Sequence, residues 1–163
     1  MDKLQKPISH NSLRSGRVSD QAFLSWLHQA IPLTAAMQID KIDYSGGQLR
    51  LSAPLEPNLN DKGTGFAGSI ASIATLSGWC LLTLWLRERG IDADVMIAKS
   101  EQRYLAPVTD RLEAIATLPD DSVVEQFWQR FQEKQRARLP ISVSLGNEKV
   151  IFELKGEYAA VLR

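Results

Sequence analysis

Cysteine is almost absent: Cys80 is the only one in 163 residues. No internal disulfide can form and no Cys/His cluster of metal-ligating spacing exists, so a disulfide scaffold and a metal site are both excluded. Cys80 lies inside an apolar run and reads as a small core residue, because apolar burial raises a thiol pKa and quenches its reactivity. A reducing cytoplasm is the expected compartment. Histidine is nearly as scarce, with His10 and His28 alone, the first in a polar tail and the second off its helix's apolar face, where it reads as solvated. Charge of one sign is not in excess, since 19 basic residues balance 19 acidic ones. That leaves no electrostatic footprint for nucleic acid. Residues 1–17 lack the apolar core of a signal peptide and read as a flexible tail (Lys3, Lys6, Arg14, Arg17) ahead of one domain over 18–163. Internal repeats, low-complexity tracts and linkers are missing too.

Charge is also missing along one long stretch. From Gly63 to Leu86 no residue is charged, which is length enough to span a bilayer. Ser69, Ser72, Thr75, Ser77, Gly78 and Thr83 dilute its hydrophobicity, no second segment could partner it, and strand-like segments surround it. The run therefore reads as a helix, from about Phe66 to Arg89, buried by the rest of a soluble fold, and no membrane association is expected. What is present stands just ahead of it: the polar, glycine-rich turn Asn60-Asp61-Lys62-Gly63-Thr64-Gly65-Phe66-Ala67-Gly68. A helix N-terminus carries unpaired N–H groups and partial positive charge, and glycine lets a ligand approach the backbone closely. Such an entry can hold a polarised carbonyl at the mouth of an apolar slot.

Around that helix, Ser19 is placed to cap a helix from about Asp20 to Ala30, ended by Ile31-Pro32, with Phe23, Trp26, Leu27 and Ala30 on one face. Residues 35–44 and 48–54 read as strands joined by Ser45-Gly46-Gly47. Gly90 stops the long helix, and strands are expected at 94–106 and 109–118. Pro119-Asp120-Asp121-Ser122 starts a helix whose Val124, Phe127, Trp128 and Phe131 recur at i, i+3, i+4 and i+7. That stripe reads as a packing face, with a partner-binding face as the alternative. Strands at about 137–145 and 149–161, joined at Gly146-Asn147, close the chain. Antiparallel hairpins with one wholly apolar helix imply an α+β fold, a curved sheet wrapped around that helix.

This order of elements resembles the hotdog fold over roughly residues 20–163. The run Asn60-x-x-Gly63-Thr64-x-Phe66-Ala67-Gly68 is similar to the N-x-x-G-T-x-H-G-G entry of small acyl-CoA thioesterases. Tyr104-Leu105-x-Pro107-Val108-x-Asp110 is similar to the strand–turn motif that follows the helix in the same families. The likeness is strongest to the thioesterase-like domain found fused to GNAT-type acetyltransferases. It implies an antiparallel sheet around a long central helix, protomers paired as a homodimer or stacked further as a homotetramer, and acyl-thioester sites at the interface. No cofactor is implied; coenzyme A enters only as part of the substrate.

The departures bear on function. Those thioesterases carry His-Gly-Gly where this chain has Phe66-Ala67-Gly68, and a catalytic Asp on the helix where it has Thr75, whose hydroxyl does not ionise near neutral pH. No Asp or Glu lies between Asp61 and Glu88. Thioester hydrolysis needs an oxyanion donor, a positioned water and a proton acceptor. The resemblance points to the backbone of Gly65, Phe66, Ala67 and Gly68 for the thioester carbonyl, to Asn60 and Thr75 for the water, and to Asp61 or a partner-chain carboxylate as base. Arg87, Arg89, Lys99 and Arg103 are candidates for coenzyme A phosphates or the acidic surface of an acyl carrier protein. Each also has a plain reading: Asn60 and Asp61 as turn formers, Thr75 bonding a carbonyl one turn back, the basic residues as solvated ends and edges. Two functions follow, a thioesterase acting on acyl-CoA or acyl carrier protein, and a non-catalytic acyl-thioester-binding or scaffold protein. A hotdog dehydratase would need a histidine beside an acid near the helix, and nothing resembles the coenzyme loop of a GNAT acetyltransferase.

Overall fold

In the computed structural model, which describes residues 20–163, the chain runs α1 (Asp20–Ala30), α2 (Pro32–Ala36), β1 (Lys41–Ser45), β2 (Gln48–Ala53), a 3-10 turn (Glu56–Asn58), α3 (Ala67–Arg87), β3 (Ala93–Tyr104), β4 (Leu112–Thr117), α4 (Asp121–Lys134), β5 (Arg136–Leu145) and β6 (Phe152–Leu162). Ser19, His10 and the tail expected over 1–17 lie outside the described residues. The strands form one sheet in the order β1-β2-β4-β5-β6-β3, antiparallel at every step. Burial alternates along β5 and β6, as the two-residue period of a strand dictates. Leu139, Ile141, Val143, Phe152, Leu154 and Tyr158 are buried, on the face turned to α3. Around α3 the sheet curves so that β2, β3, β4, β5 and β6 all touch it. This is the α+β architecture expected, an antiparallel sheet wrapped around a long central helix.

α3 is long and apolar enough to cross a membrane, yet 67 % of its 18-residue window is buried inside the protein. Ile73, Ala74, Cys80, Leu81 and Leu82 are fully enclosed, each large side chain contributing roughly 1.5–3 kcal/mol. The α4 stripe is committed in the same way. Phe127 and Phe131 are buried, and both Phe127 and Trp128 meet Trp85 of α3 edge-on at 6.0 and 5.7 Å. Packing, not a partner, uses that face within the chain.

Three expectations change. Residues 35–44 are not one strand: Pro32–Ala36 is helical and β1 begins at Lys41. Pro32 stands at the first turn of α2, where its missing N–H would have no partner anyway. The proline that ends α1 thus also starts α2, and buried Thr34 ties the corner by donating to the Ile31 carbonyl at 2.7 Å. Ala30 is exposed and Leu24 buried instead. His28 is not freely solvated, since its Nε2 lies 2.8 Å from the Ile39 carbonyl and the ring is half-buried.

Candidate active site at the start of the central helix

The turn before α3 is held by Asn60. Its Nδ2 donates to Thr64 Oγ1 at 2.8 Å and to the Gly65 carbonyl at 3.3 Å. Its Oδ1 accepts the N–H of Lys62 at 2.8 Å and of Thr64 at 3.1 Å. A primary amide has two donors and an acceptor oxygen with two lone pairs, so Asn60 is saturated as it stands. It builds the turn and has no free atom to hold a water. Asp61 points outward, its side chain 81 % exposed and paired with Lys62 Nζ at 2.8 Å.

The backbone N–H groups divide into two sets. Gly65 N donates to the Val108 carbonyl and Phe66 N to the Asn58 carbonyl, both at 2.7 Å. These bonds join the two motifs, distant in sequence, into one unit. The first helical bond of α3 runs from Ile70 N to the Phe66 carbonyl, and Phe66 supplies no side-chain cap. Among the described residues the N–H groups of Ala67, Gly68 and Ser69 therefore have no partner, at the positive end of the helix dipole. Gly65 and Phe66 thus fix the turn, and Ser69 joins Ala67 and Gly68 as a donor that the sequence reading missed. The Phe66 ring, 52 % exposed, lies against Gly68, where a Cβ would come within 2.4 Å of it. Tyr104 donates its hydroxyl to the Ala67 carbonyl at 3.1 Å. A second omission is Asn58, buried, with Nδ2 donating to the Met37 and Pro54 carbonyls at 2.9 and 2.8 Å. It anchors the loop from below, and its turn-forming chemistry gave no sign of that burial.

Thr75 lies two turns after Gly68 on the same face of α3. Ser72 and Ser77 bond carbonyls one turn back at 2.8 and 2.7 Å, whereas the Thr75 hydroxyl has no partner among the described residues and the side chain is half-buried. Its carbonyl accepts the Tyr158 hydroxyl at 2.9 Å, which pins the helix there. Gly68, Ala71, Ser72 and Thr75 are all half-buried, so one side of α3's first half lies open. Two clefts lie elsewhere. One of about 560 Å³ is lined by Arg130, Arg136 and Arg138, and one of about 420 Å³ by Trp85, Glu88 and Arg89.

The four basic candidates are not brought together. Arg87 stacks over Trp26 at 4.4 Å and Phe23 at 5.6 Å, and burial lowers its pKa. Arg89 covers Trp85 at 3.5 Å and donates to the Trp85 carbonyl. Both stand at the far end of α3, whose 21 residues place them about 30 Å from its start. Lys99 is in register with Glu157, and Arg103 pairs with Glu153 at 3.6 Å, on the sheet face turned away from α3.

Comparison with known proteins bears on the family and the fold. The model of a family described as "Putative thioesterase (yiiD_Cterm)" matches residues 20–162. A structure of a putative thioesterase from Shewanella oneidensis is similar at 32 % identity, TM-score 0.78, over 93 % of this chain and 99 % of that one. A protein of unknown function from Chlorobaculum tepidum TLS matches at 28 % identity, TM-score 0.82, over 88 % and 94 %. A thioesterase from Haemophilus influenzae, at 12 % identity, TM-score 0.68, over 90 % and 93 %, shares the fold.

Proposed function

The chain belongs to the yiiD_Cterm thioesterase family, and from that premise we propose that it hydrolyses acyl thioesters of coenzyme A or of an acyl carrier protein, working as a homodimer. The observation that carries this reading is the trio of unpartnered N–H groups at Ala67, Gly68 and Ser69, opening onto the uncovered face of α3. The thioester oxygen sits on these donors. As water adds to the carbonyl carbon, negative charge develops on that oxygen, where donors and helix dipole already point. The water's proton passes to a carboxylate of the partner chain as the C–O bond forms, and from there to the sulfur as the tetrahedral adduct breaks its C–S bond and expels the thiol. An ordinary thiol pKa of about 8.5 makes that a good leaving group, so its expulsion needs no acid on the helix.

Thr75 orients the water, but not for its own protomer's donors. Seven residues separate it from Gly68, about 10 Å along the axis, while a water and the carbonyl it attacks are about 3 Å apart. A second copy packed with its α3 antiparallel across the open face brings the partner's hydroxyl opposite these donors. A second reading, an acyl-thioester-binding or scaffold protein without turnover, is favoured by one feature: α3 carries no carboxylate or histidine from Ala67 to Arg87.

The test is Ala67→Pro. Ala67 is the first residue of α3 and follows Phe66 at φ −68°, ψ 129°, a conformation that accepts proline after it. Proline is tolerated at this helix position, so one donor disappears while the helix stays. Thiol release from an acyl-CoA panel is expected to fall roughly 10²–10³-fold with the thermal midpoint unchanged. Saturable binding without thiol release in the wild type would instead establish the second reading.

A further inference from the structure

Past Thr75 the open face of α3 ends abruptly at Trp79, one turn on. The Trp79 indole reaches across to β3 and donates Nε1–H to the Val95 carbonyl at 2.7 Å. Behind it the Trp26 ring lies parallel, at 8° and 6.0 Å, and the Arg87 guanidinium lies over Trp26 at 4.4 Å. A hydrogen bond on one side and a Trp26–Arg87 stack on the other hold the indole in place. From α1, Trp26 stacks on Trp79 and both Trp26 and Phe23 lie under Arg87, while Gly68, Ala71, Ser72 and Thr75 stay half-buried.

We infer that Trp79 is the end wall of the acyl-chain site and restricts this protein to short and medium acyl groups. The inference rests on the thioester site proposed above, with the carbonyl on the N–H groups of Ala67, Gly68 and Ser69 and the chain running along α3, between that helix and the partner's copy of it. From Gly68 to Trp79 is about 16 Å along the axis. A helical side chain covers the turn on the N-terminal side of its own Cα, which removes about 5 Å more. Roughly 11 Å remain, and an extended chain advances about 1.2 Å per bond, so an acyl group of about eight to ten carbons fills the space. A longer one must displace an indole fixed on both sides. Ala71 and Ser72 carry small side chains along that path, and the exposed Phe66 ring, which lies against Gly68, must turn aside where the chain enters.

The experiment measures binding of non-hydrolysable alkyl-thioether analogues of acyl-CoA, from two to sixteen carbons, by calorimetry, alongside thiol release from the matching thioesters. In the wild type each added methylene is expected to tighten binding about three- to four-fold up to eight to ten carbons, and then to add nothing or weaken it. Trp79→Leu shortens the wall and moves the break to longer chains. Trp79→Phe keeps the bulk and serves as the milder variant, moving it less, with circular dichroism confirming that both fold. Affinity that climbs steadily to sixteen carbons in the wild type overturns the inference, as does a break that stays put in folded Trp79→Leu. A break in binding with no thiol release from any substrate removes the hydrolase reading and leaves the wall standing. Thiol release indifferent to chain length removes the wall and leaves the hydrolase.

Discussion

At the scale of single residues, the contact between helix and sheet turns on Tyr158. It is fully buried, donates to the Thr75 carbonyl, and presses so closely on Gly78 that a Cβ there would stand 2.3 Å from its ring and hydroxyl. Gly78→Ala therefore forces α3 off β6, and over-packing of this kind costs roughly 1–3 kcal/mol. Urea unfolding is expected to show that loss. The double variant Gly78→Ala/Tyr158→Phe should lose less than the two single losses combined, since contacting residues are coupled. A second residue-level consequence concerns pH. Desolvation pushes the buried Cys80 thiol far above its ordinary range, and desolvation, chiefly, does the same to Tyr44 and Tyr158. Only the unfolded chain releases these protons in the alkaline range, so folding stability is complete below about pH 9 and falls as pH rises past it. Denaturant midpoints at pH 8 and pH 10.5 should differ in that direction, and Cys80→Ala should reduce the difference. A flat profile would contradict the burial of these groups.

At the scale of elements, what was legible was what had a long period. α3 and α4 carry their faces over several turns, and β5 and β6 alternate along their length. These stand within a few residues of where the sequence placed them. α2 was illegible because a proline after an apolar helix signals an end and a beginning equally. The candidate site could be read from sequence as a location and not as a list of donors. Sequence shows a turn rich in glycine, but which N–H groups stay free depends on the Val108 and Asn58 carbonyls, which only the folded chain brings up to Gly65 and Phe66. Asn60 was open to both a catalytic and a structural reading, and four hydrogen bonds commit it to the turn. The role of α4 yields a test at this scale. Phe127 sits 4 % exposed between Trp85 and Phe131, so Phe127→Ala is expected to cost about 3–5 kcal/mol in urea unfolding. A loss under 1 kcal/mol would mean that α4 does not close the core.

At the scale of the whole molecule, the protomer leaves unfinished the side on which the site lies. β3 ends the sheet, with 12 residues offering backbone groups on their outer side, and long bare edges of this kind are covered in native proteins. Phe66, Tyr104 and Leu105 are exposed beside the open half of α3. With 19 charges of each sign, net repulsion does not oppose association. A two-fold contact would answer both features at once. The homodimer proposed above would pair β3 with its copy, cover the apolar residues, and carry the partner's Thr75 toward donors its own protomer cannot reach. Sedimentation equilibrium is therefore expected to give twice 18.2 kDa at micromolar concentration. Ala71, half-buried on the open face, is the place to break it: Ala71→Arg should remain folded by circular dichroism and sediment as a monomer. A wild-type monomer that turns over substrate would show that one chain completes the site alone, and the assignment of Thr75 across the two-fold would fall with it.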